Sequence, residues 1–410
     1  MSVETDKKPK VGLVLPGGGA RAAYQVGVLK AIADILPADT PNPFPVISGI
    51  SAGSINAVAL ATNANQFRAG VRRLHRVWSN FRTHHVYRGD WRSVLKTTGH
   101  WFVSLTTGGM GSKNPTCLLN NQPLRELLQH HMRFEEIQKS IDSGALDAIA
   151  VTGSGYDSAR AVAFFQGKDN LQPWVRARRE GRRTELNVEH MMGSVAVPVI
   201  FPSVKVDNEY FGDGAIRDAS PLSPAVKLGA DRLLVIGARD EEPLGTTVGE
   251  DVKPPSLGQI AGYMLDTIFL DGLYFDLERL TRINHLVAQV EEGSLMKRPG
   301  RPMKRIQAMI ITPSMDVRTI AMRHANEFPR PVRALLRGVG AGGAGGSQLK
   351  SYLLFEKSYC RALMNLGYHD CLRRKDSMIK FLRGDPVEDI DAAKHLKAYL
   401  SGKSSSVAAD

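Results

Sequence analysis

A chain of 410 residues with 43% hydrophobic and 23% charged content is too apolar to be disordered and long enough for one large domain or two modest ones. Three cysteines, Cys117, Cys360 and Cys371, are too few and too scattered for a disulfide framework, and none stands in a metal-ligand spacing; a reducing compartment with no metal or cofactor is expected. The net charge of +12 fits either a solvated basic face or attraction to an anionic membrane, while no nucleic-acid-binding motif accompanies it.

In chain order, the polar N-terminus has no apolar signal core, and no apolar run anywhere is long enough to span a bilayer. A cytoplasmic protein, peripheral at the membrane where it touches one, is the expectation. Residues 10–15 read as a buried strand that runs into Gly17-Gly18-Gly19, and Ala22 to Leu36 follow with helical periodicity. A proline-rich connection leads to a short strand at Val46-Ile47-Ser48, then an alanine-rich helix from Ser54 to Ala64. Strand, glycine turn and helix, twice in succession, predict an α/β fold with parallel strands. Arg68 to His131 reads as mostly helical, with a glycine break at 108–111.

Leu146 to Gly153 and Ala161 to Phe165 then read as a hairpin pair, and Val188 to Ala196 as a helix ended by Pro198. Val204 to Val206 and Tyr210-Phe211 flank the turn Asp207-Asn208, and a helix at Ser223 to Leu228 precedes a buried strand at Arg232 to Gly237. Polar residues 239–256 mark a loop, Leu257 to Ala288 a helix and Gln307 to Thr312 one more strand. Val339 to Gly346, almost all Gly and Ala, reads as a flexible link before helical residues 348–400 and a frayed end. No internal repeat is present.

Two glycine turns carry the candidate chemistry. Gly49-Ile50-Ser51-Ala52-Gly53 sets a serine at a strand-to-helix turn, where glycines relieve crowding and free N–H groups favour negative charge. A serine so held is a candidate nucleophile once a base accepts its proton. Gly17-Gly18-Gly19 is open to two readings, a nucleotide-binding turn or a loop donating N–H groups to an oxyanion. Position 22 is alanine where the dinucleotide fingerprint wants glycine, and no P-loop lysine follows, so the oxyanion loop is the better fit. Arg21 either steadies that loop or attracts an anionic head group. None of the 11 histidines stands in a triad context. Asp213, in Phe211-Gly212-Asp213-Gly214-Ala215, is either a hairpin turn residue or a carboxylate that substrate approaches closely. Basic residues cluster at Arg68 to Arg92, Arg176 to Arg183 and Lys297 to Arg305, with Trp78, Trp91, Trp101 and Trp174 near them as candidate membrane contacts.

Together these blocks, with Gly193-Ser194-Val195-Ala196-Val197-Pro198 and Phe201-Pro202, resemble the patatin-like phospholipases over about residues 10–240. The resemblance implies a three-layer α/β/α sandwich with a mostly parallel sheet, here with additional C-terminal helices. It implies a Ser51–Asp213 dyad without histidine, an oxyanion hole at Gly17, Gly18 and Gly19, and support from Arg21, Gly49, Gly53 and Gly214. It further implies hydrolysis of acyl esters in phospholipids or related lipids. Acyl transfer or thioester hydrolysis, and a non-catalytic lipid-binding or scaffold protein on the same fold, are the alternatives. Two positions depart from the family pattern: Ala22 follows the arginine, and Asp218-Ala219-Ser220-Pro221 lacks an asparagine. The expected organisation is a catalytic domain over 8–240, a mostly helical extension over 241–400 packed on it, and a disordered tail over 401–410.

Overall fold

The computed structural model describes residues 9–92, 99, 117–238, 254–289 and 304–385. Trp101, the 108–111 glycine break, residues 239–253 of the polar loop, most of the third basic cluster and the 401–410 tail lie outside them. Strand β1 (Val11–Leu15) is buried along its whole length, with Leu13 and Leu15 facing one core and Val14 the other. Such double burial is what an apolar run without polar alternation requires. Residues 19–22 form a single 3₁₀ turn into α1 (Ala23–Ile35), so the regular helix begins one residue later than its periodicity suggests.

Strand β2 (Val46–Ile50) lies parallel to β1, and α2 (Ala52–Ala61) starts directly after it. Helix α3 (Phe67–Ser79) follows, then β3 (Ala148–Gly155) and β4 (Ala161–Gly167) as the expected antiparallel pair. Two strands were not foreseen: β5 (Trp174–Val175) and β6 (Arg179–Arg183) extend the sheet beyond β4. Their arginine-rich sequence has no apolar alternation to announce a strand. Helix α4 (Val188–Ser194) leads to β7 (Val204–Val206) and β8 (Glu209–Asp213), and β9 (Arg232–Ile236) pairs with β1.

Beyond residue 254, α5 (Leu257–Asp266) runs through a π-helical turn, Thr267–Asp271, into α6 (Gly272–Gln289). Strand β10 (Gln307–Ile311) pairs parallel with β9. Helices Val317–His324 and α7 (Arg330–Gly338) were not anticipated; α8 (Ser347–Leu353), α9 (Lys357–Arg373) and Lys375–Arg383 divide what the sequence suggests as one helical stretch. The Gly/Ala segment read as a flexible link is a packed turn. Lys350 Nζ donates to the carbonyls of Gly342 and Gly343 at 2.8 and 3.0 Å, and Ala341 is buried.

The sheet is mixed. It runs parallel from β10 through β9, β1 and β2 to β3, and mostly antiparallel beyond. Helices α1, α2, α3 and α9 contribute to the larger core on one face, while Ser223–Lys227 and α6 cover the other, giving three α/β/α layers. No described helix is long and apolar enough to cross a membrane.

Candidate active site

Strand register brings the two halves of the site together. On one edge of β3, β2 pairs up to Ile50 opposite Thr152, and β8 then takes over that edge with Asp213 opposite Gly153. Ser51 follows Ile50 directly, so serine and aspartate are neighbours at the same end of the sheet although 162 positions apart. This is the carboxyl end of β1 and β2, where open α/β sheets form their ligand crevices.

Ser51 is the N-cap of α2 with φ +53° and ψ −132°, a backbone conformation that costs about 1–3 kcal/mol in a non-glycine residue. Ser194 Oγ accepts its N–H at 2.9 Å, and its carbonyl receives Ser54 N at 2.9 Å and Ser54 Oγ at 2.6 Å, which hold the turn. Gly49 is the penultimate residue of β2, and Gly53 sits in the first turn of α2, where a Cβ would fall 2.1 Å from the Leu15 carbonyl oxygen.

Asp213 is fully buried. Its Oδ1 accepts the Ala215 N–H at 3.0 Å, its N–H donates to the Ala196 carbonyl at 2.8 Å, and Gly214 backs against Thr152. Its Oδ2 accepts no hydrogen bond of ordinary geometry, and the side chain that acts on the carboxyl is the Ser51 hydroxyl. Burial pushes the Asp213 pKa up to about 7, against the smaller opposing pull of Ser51 and the Ala215 N–H.

The glycine loop lies against this pair. A Cβ on Gly17 would fall 3.1 Å from Ser51 Cβ and 2.5 Å from the Phe269 ring. Gly18 is extended with φ 168°, and Gly19, at φ +54°, presses so closely on the Tyr352 carbonyl oxygen that a Cβ would stand 2.4 Å away. Gly19 and Ser51 open into one apolar pocket lined by Ile55, Trp78, Phe201, Leu265, Phe269 and Phe355 among others, with no histidine in its walls. Behind the loop, Gln25 Nε2 donates to the Pro16 carbonyl at 2.8 Å, Asn56 Nδ2 to Gln25 Oε1 at 2.9 Å, and Trp78 Nε1 to Asn56 Oδ1 at 2.8 Å.

Of the two readings of Arg21, the anionic head group is excluded. The guanidinium is buried, 3.1 Å from Asp266 Oδ1, bonded to Ser351 Oγ and Tyr352 Oη, and 3.8 Å from the Tyr352 ring centroid. Nothing in the motifs announced Asp266, Ser351 or Tyr352; the one available signal was an aspartate on the inward side of a helix, beside Leu265. Ala22 is buried in the core, and its carbonyl accepts Asn56 Nδ2 at 3.1 Å. In place of an amide, the loop after Asp213 is held by carboxyls: Asp218 Oδ1 accepts Ser220 N at 3.0 Å and Asp276 Oδ2 accepts Leu222 N at 3.0 Å.

The expected membrane contacts fare differently. Trp78 is core and pocket wall, Trp174 stacks on Phe165, and Trp91 alone of the described tryptophans is exposed. Arg68 caps α1 through the Ala33 and Leu36 carbonyls, and Arg183 bonds to the Gly167, Lys168 and Leu171 carbonyls, so part of the basic clusters is structural. Among the described residues no group of three or more His, Cys, Asp or Glu side chains is arranged to hold a metal ion.

The sequence matches the family of patatin-like phospholipases over residues 13–226. Comparison with curated protein sequences gives no match. Among solved structures, human GIVD cytosolic phospholipase A2 aligns with 95% of this chain and 61% of its own length at 12% identity and TM-score 0.46. VipD from Legionella pneumophila aligns with 96% of this chain and 74% of its own at 11% identity and TM-score 0.35. ExoU from Pseudomonas aeruginosa, in complex with SpcU, aligns over 96% and 85% at 14% identity and TM-score 0.26. The chain thus spans 61% of the length of the first of these.

Proposed function

The chain belongs to the patatin-like phospholipase family, and from that premise we propose that it hydrolyses fatty acyl esters of phospholipids or related lipids through a Ser51–Asp213 dyad. The observation that carries this reading is a strained serine at a helix N-terminus beside a buried carboxyl whose second oxygen is left for it. Asp213 accepts the Ser51 proton as Oγ attacks the ester carbonyl, and the N–H groups of Gly18 and Gly19 take the developing oxyanion. The positive end of α2 favours the same charge. Collapse of the tetrahedral intermediate expels the alkoxide, which takes the proton from Asp213 and leaves as the alcohol, with an acyl ester formed on Ser51. Asp213 then takes a proton from water as it attacks that ester, and returns the proton to Ser51 Oγ as the fatty acid leaves. The side chains that line the pocket are apolar, the character that an acyl chain requires of its surroundings.

Fluorophosphonate labelling tests the reading. The wild-type protein is modified and Ser51→Ala is not. Asp213→Asn loses on the order of 10²–10⁴ in rate, the usual worth of a general base. A folded wild-type chain that resists the probe, or an Asp213→Asn variant of undiminished turnover, refutes the dyad.

A further inference from the structure

Five of the exposed large apolar side chains, Leu257, Ile260, Tyr263, Met264 and Phe275, stand on one stretch of chain: α5, the π turn and the start of α6. Exposed positions 257, 260, 264, 267, 271 and 275 recur every three or four residues, so they run along one face, with Tyr263 beside it. Leu257 is 73%, Tyr263 67%, Met264 56% and Phe275 67% exposed. Single apolar residues on a surface are ordinary, whereas a stripe of them marks an interaction site.

The opposite face of the same segment belongs to the site. Leu265 and Phe269 line the Ser51 pocket, and Asp266 bonds to Arg21 of the glycine loop. Cations flank the stripe. Arg337 is exposed at the end of α7, whose following residue Val339 accepts the Gly258 N–H at 2.7 Å. Arg279 is exposed one turn beyond Phe275, and Arg217 is exposed next to Asp218, whose carbonyl backs Gly272. Asp271 is the one acid among the six stripe positions.

We propose that this face docks the protein on a lipid bilayer, the apolar side chains entering the interfacial region and the flanking arginines meeting lipid phosphates. Apolar insertion combined with attraction of cations to anionic lipid is how an amphipathic surface helix binds a membrane. Charge argues against a second copy of the chain. A two-fold contact across the stripe would bring two sets of the same flanking arginines together in a chain of net charge +12, where anionic lipid complements them. The proposal rests on the acyl-lipid reading of Ser51 and adds to it where the substrate surface lies.

The test is cosedimentation of the full Ser51→Ala chain with phosphatidylcholine vesicles, with and without phosphatidylserine, beside the same chain carrying Ile260→Ser, Tyr263→Ser and Met264→Ser. Since these side chains face solvent, the triple variant folds; with Ser51 intact it hydrolyses a soluble short-chain ester as the wild type does. Its vesicle binding and its hydrolysis of vesicle lipid fall on the order of tenfold or more, from the lost apolar insertion. Met315→Ser, at an exposed apolar residue outside the stripe, leaves both unchanged. Equal vesicle binding by the triple variant overturns the proposal. So does a wild-type dimer that the same substitutions dissociate, because the stripe is then covered by a second copy. A chain that binds vesicles through this face yet resists fluorophosphonate keeps the docking surface and refutes the hydrolase.

Discussion

A carboxyl sealed from water beside a serine couples activity and stability to pH in opposite directions. In the proposed mechanism Asp213 must be ionised to take the Ser51 proton, and burial holds its pKa up at about 7, so kcat/KM is expected to rise as pH increases through that value. A profile flat from about pH 5 to 9 would remove Asp213 as the base. Unfolded, the same carboxyl ionises near 3.8. Between the two values the folded chain retains a proton that the unfolded chain has released. Asp213 therefore favours the folded state most at low pH, and that contribution is lost as pH rises towards and through about 7. Asp218, raised by burial to about 6, adds to the same trend. Asp213→Asn, with no charge to bury, should melt several degrees above the wild type at pH 8, and the gap should close as pH falls to about 3.8, even as its activity falls. Ser51 was legible because an elbow needs glycines on both sides of it. Asp213 was ambiguous, since Asp-Gly serves equally well in a hairpin; the β3 edge that sets it beside Ile50 and Ser51 has no local signature.

Elements from both ends of the chain meet at Arg21. The 3₁₀ turn of the glycine loop delivers a guanidinium into a socket made by α5 and α8, where Tyr352 Oη donates to Asp266 Oδ1 at 2.6 Å and Gln348 Nε2 to Asp266 Oδ2 at 2.7 Å. Because the ion pair is buried, removing one partner leaves a charge that water does not reach. Asp266→Ala is expected to destabilise the fold by about 3–5 kcal/mol in urea titration. Arg21→Met with Asp266→Leu should restore much of that stability, since a buried pair is often replaceable by apolar residues. It should not restore turnover, because the glycine loop then lacks its anchor against Tyr352. Recovery of full activity in the double variant would show the clamp to be dispensable to the loop. The arginine itself was visible beside the glycines. Its partners were not, because a buried polar network spread over residues 21, 266, 348, 351 and 352 has no spacing that a linear reading registers.

At the scale of the whole molecule, residues 254–289 and 304–385 complete the fold that the family motifs begin. Helix α9 packs on α1, and two glycines let the backbones touch: a Cβ on Gly27 would lie 1.9 Å from the Met364 carbonyl oxygen, and one on Gly367 2.3 Å from that of Tyr24. Tyr24 Oη donates to Asp370 Oδ2 at 2.9 Å across the same seam, and β10 adds its strand to the edge of β9. Periodicity predicted both helices and the strand but carried no information on which faces meet. The glycines in the middle of α1 and α9 were the only signs that two backbones come so near. We therefore expect the chain to unfold as one cooperative body. Gly27→Val forces the two helices apart at a contact with no slack, at a cost of about 1–3 kcal/mol, typical of overpacking and more if the seam opens. In a two-state body that loss shifts every probe together: Trp78 fluorescence, read with the other three tryptophans replaced by Phe so that it reports the pocket wall, and far-UV circular dichroism, which reports all helices, should move to one lower midpoint. Two separated transitions, with the Trp78 signal unmoved, would instead show that the catalytic layers stand without their C-terminal cover. Arg21 would then have to keep its place with Asp266, Ser351 and Tyr352 unfolded from around it, leaving a bare guanidinium in the core. That cost is the physical reason to expect a single transition.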